Sequence, residues 1–173
     1  VPAHTPAPAV EVSGNLVKNG DFEEGMRYWR TWGTWDGGSY TFSSGSGEDV
    51  YSGNGSMAIV SQKRGRGGFF TAPEARFGLK QAAYRLTFYV RGKGEGVRMF
   101  WQFEGGGKEG AGLSDVITSG WGEGRFDVPA AWTKKEYRVT VARDVDPVMM
   151  LYFYSVGEGT LLIDAITLVR EDG

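Results

Sequence analysis

The stretch Tyr84–Arg91 reads YRLTFYVR. Successive side chains of a β-strand point to opposite faces, so Leu86, Phe88 and Val90 would share one face. The residues between them, including Tyr89 and Arg91, would lie on the other face. This period of two predicts a strand with one side in an apolar core.

Other apolar runs of the chain have the same strand-like character. They are rich in β-branched and aromatic residues, and glycine clusters lie between them: Met57–Val60, Val97–Glu104, Lys134–Ala142, Val148–Tyr154 and Leu161–Val169. Glycine accounts for 28 of the 173 residues, and glycine clusters between strands are typical of hairpin loops. The pattern predicts an all-β protein, a β-sandwich of two antiparallel sheets, with at most one short helix.

Composition limits the possible functions. Hydrophobic residues make up 40% and charged residues 23% of the chain, which is typical of a globular domain. The formal net charge of -2 favours neither nucleic acid nor a membrane as a partner. There is no cysteine, and His4 is the only histidine. Disulfides, cysteine-based zinc sites and histidine-dependent triads are therefore excluded.

The N-terminal residues differ from the rest. Residues 1–13 read VPAHTPAPAVEVS, a Pro- and Ala-rich segment without hydrophobic periodicity. We interpret them as a linker or a mature N-terminal tail, and residues 14–173 as one domain. No apolar run approaches the ~18 residues of a membrane span.

Most catalytic motifs fail on inspection. The glycines Gly105–Gly107 and Lys108 resemble a phosphate-binding loop, but Glu109 stands where a hydroxyl residue is needed. A pair of carboxylates is the one catalytic arrangement that the composition permits. The candidates by residue type are Glu104, Asp115, Glu123 and Asp127, and each of them is equally explained as a solvated surface acid.

Five segments together resemble a known family. The opening NLVKNGDFEEGMRYW (Asn15–Trp29) is followed in order by Gly53–Val60, Tyr84–Gly94, Trp132–Val141 and Val148–Arg170. Their order and spacing are similar to those of the carbohydrate-binding module superfamily that groups families four, nine, sixteen and twenty-two.

The resemblance implies a jelly-roll β-sandwich that binds polysaccharide and performs no chemistry. It implies a secreted, monomeric module that targets an attached glycoside hydrolase to a β-linked glucan, mannan or xylan. Two alternatives stay open: a small jelly-roll polysaccharide lyase or glycosidase, and a structural or adhesion domain of a surface protein. The fold alone does not separate the three.

Sugar rings have apolar faces and polar edges, so a binding surface needs aromatic rings beside hydrogen-bonding groups. Strand alternation places such residues outside the core, and we predict that they form one face: Tyr89, Arg91, Gln102, Glu104, Tyr152 and Tyr154. Trp32 and Trp121 lie in glycine-rich segments, and we predict them as stacking platforms, as in similar modules. Trp29 and Trp132 are expected in the core.

The resemblance also implies a structural calcium ion that ties the start of the domain to its last strand. The matching positions are Asp21, Glu23 and Asp164, with carbonyls of the turn Ser52–Gly55 completing the shell. Oxygen ligands of this kind suit calcium. The alternative is that Asp21 is a turn residue and Asp164 a capped surface acid.

Overall fold

The protein is described by a computed structural model. It describes residues 4–33, 40–61, 66–94, 96–104, 126–148 and 150–171. Its strands within these ranges are β1 (Trp29–Gly33), β2 (Tyr40–Ser44), β3 (Met57–Ser61), β4 (Arg66–Thr71), β5 (Phe77–Leu79), β6 (Ala82–Lys93), β7 (Arg98–Glu104), β8 (Phe126–Asp127), β9 (Thr133–Val141), β10 (Val145–Val148), β11 (Met150–Val156) and β12 (Gly159–Arg170). At most one short helix was expected, and the described residues contain two single-turn 3₁₀ helices, Gly47–Asp49 and Pro73–Ala75.

Two five-stranded antiparallel sheets form the sandwich. The front sheet has the order β1-β4-β11-β7-β8, and the back sheet has the order β2-β3-β12-β6-β9. The short strands β10 and β5 pair separately. The predicted all-β jelly-roll sandwich is confirmed.

Apolar side chains that alternate along the strands fill the space between the sheets, as predicted. Leu86, Phe88 and Val90 of β6 are fully buried. They face Trp101 of β7 and Phe153 of β11 within one core cluster. The Phe88 and Phe153 rings join the two sheets by an edge contact at 5.2 Å. Burial of such side chains stabilises the fold by roughly 1.5–3 kcal/mol each.

The segment before β1 forms a series of turns. Asn19 organises it, because its side-chain amide donates to the carbonyls of Gly25 and Arg27. The indole Nε1 of Trp29 donates to the Asn19 carbonyl at 2.9 Å. Trp29 is buried, as predicted, and its position fixes the start of β1.

The N-terminal tail lies against the domain from His4 onward. Ala7 forms a parallel bridge with Ser52, and the Gly53 N–H donates to the Ala7 carbonyl at 2.7 Å. The His4 ring stacks on Tyr51 with centroids 5.7 Å apart. The boundary at residues 13 and 14 stays a prediction.

Candidate functional site

An aromatic and polar surface covers the outer side of the front sheet, and we call it the front face. Alternation along the strands turns its side chains away from the core. Its members are Trp32 of β1, Phe70 of β4, Phe100, Gln102 and Glu104 of β7, and Tyr152 and Tyr154 of β11. The register sets Tyr152 opposite Phe70 and Gln102, and Tyr154 opposite Phe100.

Four of these rings form a continuous stack across three strands. Phe100 and Tyr154 stack with centroids 4.3 Å apart, Tyr154 and Tyr152 at 4.5 Å, and Tyr152 and Phe70 at 4.8 Å. Each ring therefore covers its neighbours, and Phe100, Tyr152 and Tyr154 are buried although they lie outside the core. Their broad faces are occupied by one another.

Trp32 is arranged differently. Its ring meets Tyr152 and Tyr154 edge to face, at 65° and 76°, and it is half-buried. Its Nε1 is buried without a hydrogen-bond partner among the described residues. Trp32 thus differs from the stacked rings, because both tyrosines support its ring edge to face.

Gly68 makes this arrangement possible. It lies opposite Trp32 on one side and opposite Tyr154 on the other. Having no side chain, it leaves room for the two rings to meet across β4. A Cβ atom built on Gly68 would lie 2.4 Å from the Phe153 carbonyl oxygen.

A polar network borders the aromatic stack. The Tyr154 hydroxyl donates to Glu104 Oε1, and Gln102 Nε2 donates to the same carboxylate oxygen and to the Tyr154 hydroxyl. Burial and the Glu104 carboxylate raise the pKa of Tyr154 far above its ordinary value. Tyr154 therefore remains a neutral hydroxyl donor at any physiological pH.

The structure divides the predicted binding residues between the two sheets. Gln102, Glu104, Tyr152 and Tyr154 share the front face with Trp32. Tyr89 and Arg91, however, lie on β6 of the back sheet, so the prediction of a single face is wrong for these two. Alternation correctly turned them away from the core, but on the opposite side of the sandwich.

Tyr89 and Arg91 have other partners there. The Tyr89 ring stacks on Tyr51 at 3.7 Å. The Arg91 guanidinium donates to the carbonyls of Ala130 and Glu48, and so holds two loops together. Trp132, expected in the core, is half-buried on this side, and its Nε1 donates to the Glu48 carbonyl. It lies just before β9, the strand at the edge of the sheet, where the core does not enclose it.

Some predictions fall on residues outside those that the structure describes. These are Trp121 among the platforms and Asp115 and Glu123 among the acids.

Conversely, sequence reasoning did not select Phe70 as a site residue. The pair Phe69–Phe70 carried the available signal, since Phe69 is buried in the core and its neighbour must face outward.

Two of the predicted calcium ligands, Asp164 and Glu23, contact the turn Tyr51–Gly55, whereas Asp21 Oδ1 accepts the Glu23 N–H at 3.3 Å. Asp164 Oδ2 accepts the N–H groups of Tyr51 and Ser52 at 3.0 Å each. Glu23 Oε1 accepts those of Asn54 and Gly55 at 2.7 and 3.2 Å. Direct hydrogen bonds thus connect the opening segment and the last strand through this turn.

Asp164 is fully buried. Its burial raises the pKa of the carboxyl to about 7, against the lowering effect of three backbone N–H donors, and the charge of Asp21 adds to the rise. Within the described ranges, no group of three or more His, Cys, Asp or Glu residues is arranged to hold a metal. A calcium ion here would therefore take much of its shell from backbone carbonyls.

Comparison with protein-family models finds no match, and neither does comparison with curated protein sequences. The fold is nevertheless shared with solved carbohydrate-binding modules. A family 61 module in complex with β-1,4-galactotriose matches 92% of this chain over its whole length, with a TM-score of 0.63 and 17% identity. A family 16 module matches 90% of this chain over its whole length, with a TM-score of 0.56 and 20% identity.

A third structure is a larger protein. It is the Clostridium thermocellum xylanase 10B portion that joins a family 22 module to a glycoside hydrolase module, complexed with xylohexaose. It matches 94% of this chain and 29% of its own length, with a TM-score of 0.60 and 13% identity. At these identities the comparisons establish the sandwich fold. Where the chain is described, no helix has the length and apolar character to cross a membrane.

Proposed function

We propose that this protein is a non-catalytic module that binds polysaccharide on the front face. The observation that carries the proposal is the Trp32 ring held edge to face against two stacked tyrosines, one of which, Tyr154, is hydrogen-bonded to Gln102 and Glu104. An aromatic ring accepts the apolar face of a sugar, and the neighbouring amide and carboxylate accept or donate hydrogen bonds to its hydroxyls.

Stacking is concentrated at Trp32 in this proposal. The stacked rings of Phe100, Tyr154 and Tyr152 cover each other, so they support the indole rather than each binding a sugar. Ordering these rings before binding reduces the entropy lost on association. Structural similarity to carbohydrate-binding modules supports the same function.

The chemistry of the face favours binding over hydrolysis. A glycosidase needs two carboxyl groups that act across one bond. The described partners of Glu104 are a tyrosine hydroxyl and an amide, which hold its carboxylate in place. We therefore propose that the protein binds a neutral β-linked glycan. By doing so it would raise the local concentration of an attached, secreted glycoside hydrolase at its substrate.

Calorimetric titration with soluble polysaccharides tests the proposal. The panel contains mixed-linkage glucan, glucomannan, xylan, laminarin and β-1,4-galactan, and each mixture is also assayed for released reducing sugar. We expect binding to at least one polymer without sugar release. Cleavage would favour the enzyme alternative, and absence of binding to every polymer would favour the adhesion alternative.

We also propose that calcium binds at the turn Tyr51–Gly55, held by Asp21, Glu23 and Asp164. Support comes from Asp164, a buried carboxylate whose hydrogen-bond partners are backbone N–H groups. Bound calcium would supply the positive charge that this carboxylate lacks and strengthen the connection between opening segment and last strand.

A further inference from the structure

A cavity of about 690 Å³ lies on the outer side of the back sheet. We call it the back pocket. Its floor includes Thr87 and Tyr89 of β6 and the ring of Tyr51, and residues 7–12 of the tail form part of its wall. Its volume lies within the range of about 300–1,000 Å³ typical of small-molecule sites. Front face and back pocket belong to different sheets of the sandwich.

We propose that the back pocket is a second saccharide-binding site, which takes a single sugar residue or a short oligosaccharide. This inference goes beyond the proposed function, because it requires a second ligand position that no front-face residue helps to form.

The floor contains a preordered aromatic stack. The Tyr51 and Tyr89 rings are nearly parallel, with centroids 3.7 Å apart and an angle of 12°. A hydrogen bond between their hydroxyls and partial burial raise the pKa of Tyr51 to about 12. The stack and the hydrogen bond hold both rings in place, so that they can offer ring edges and hydroxyl groups to a ligand. Because the two rings cover each other, a sugar would contact their edges and hydroxyl groups.

The lining carries charges of both signs. They are Glu11, Asp21, Glu23, Glu24, Lys18 and Lys134. The excess of carboxylates opposes a phosphate or another anion, and two of these carboxylates, Asp21 and Glu23, also belong to the calcium site proposed above. A hydroxyl group both donates and accepts hydrogen bonds, so a neutral sugar can use carboxylates and ammonium groups alike.

The shape limits the size of the ligand. The tail runs along one side of the pocket, where the Ala7 carbonyl accepts the Gly53 N–H and Ala7 bridges Ser52. On another side lies the turn segment that carries Lys18 and Asp21. A site bordered on two sides by chain segments suits a chain end or a short oligosaccharide, whereas the front face is a sheet surface.

NMR titration of the ¹⁵N-labelled protein tests this inference. The probes are D-galactose, D-glucose, D-mannose and D-xylose, together with their β-1,4-linked disaccharides, at constant calcium. We expect at least one probe to shift the amide signals of Thr87, Tyr89 and Ile166 in a saturable manner. If every probe leaves these signals unmoved, the inference is wrong.

Thr87→Arg places a long side chain on the pocket floor, and we expect it to abolish the saturable shifts. Thr140→Arg is the matched control, because Thr140 is exposed on β9 of the same sheet and does not line the pocket. Pocket shifts that survive in Thr87→Arg would overturn the inference. Trp32→Ala separates the two sites: the front-face proposal fails if polysaccharide binding survives in Trp32→Ala, whatever the pocket signals show.

Discussion

Glu23 and Asp164 hold opposite ends of the same turn. Asp164 accepts the backbone N–H groups at the start of Tyr51–Gly55, and Glu23 accepts those at its end. The two carboxylates are far apart in sequence, one before β1 and the other in β12. The turn between β2 and β3 therefore connects the beginning of the domain to its last strand.

Asp164→Ala should destabilise the domain by about 3 kcal/mol, because three backbone N–H groups lose their acceptor and two of them belong to this turn. Urea unfolding followed by tryptophan fluorescence measures the loss. Asp144→Ala is the control, since Asp144 also accepts a backbone N–H but is exposed. Equal stability losses in the two variants would contradict the special role of Asp164.

Calcium should raise the melting temperature. At about a hundredfold its dissociation constant, a bound ion adds roughly 2.7 kcal/mol, which corresponds to several degrees for a domain of this size. Calorimetry in excess calcium and in EDTA measures the difference, and Asp164→Asn should remove most of it. Identical melting temperatures in calcium and EDTA would rule out the proposed ion.

Trp32→Ala should weaken polysaccharide binding by about 2 kcal/mol or more, roughly thirtyfold, as expected for an aromatic anchor. Trp132→Ala is the matched control, because Trp132 is also half-buried but lies on the back sheet side. Isothermal titration with the polymer that binds the unmodified protein measures both. If binding is lost in Trp132→Ala but kept in Trp32→Ala, the polysaccharide binds on the back sheet side and the front-face proposal is wrong.

Tyr154→Phe should keep the aromatic stack and remove the hydroxyl that donates to Glu104. We expect a loss of stability of about 1 kcal/mol. Affinity should fall somewhat, because Glu104 loses one of the groups that orient it. The fall should be smaller than in Trp32→Ala, because the indole ring that stacks on the sugar is kept. Thermal unfolding and the same titration measure the two effects. An affinity loss larger than that of Trp32→Ala would make Tyr154 a direct contact.

Gly68→Ala should separate β4 from β11, because the added Cβ would meet the Phe153 carbonyl oxygen at 2.4 Å and the Tyr154 Cα at 3.4 Å. We expect a destabilisation of about 1–3 kcal/mol and weaker polysaccharide binding through the displaced Trp32. Urea unfolding and titration measure both. Unchanged affinity would mean that contact between Trp32 and Tyr154 is unnecessary for binding.

Much of the local structure was predictable from the chain. Alternation in β6, β7 and β11 assigned Phe88, Trp101 and Phe153 to the core, and all three are buried. It also turned Gln102 and Tyr154 outward. These results depend on a period of two that each strand carries in its own residues.

Other features depended on partners distant in sequence. Trp132 carries no local sign that β9 forms the edge of a sheet, where its ring is half-exposed. The stacking of Phe70 on Tyr152 follows from the pairing of β4 with β11, two strands that lie far apart in the sequence. No local pattern encodes that pairing.

By itself, the sequence determined which side chains leave the core, because alternation is a property of each strand. The tertiary structure alone decided which of two opposite surfaces they reach. Tyr89 and Tyr154 both point outward, but β6 pairs with β12 and β9, whereas β11 pairs with β4 and β7. A sandwich has two outer faces, and membership of a sheet is settled by long-range strand pairing.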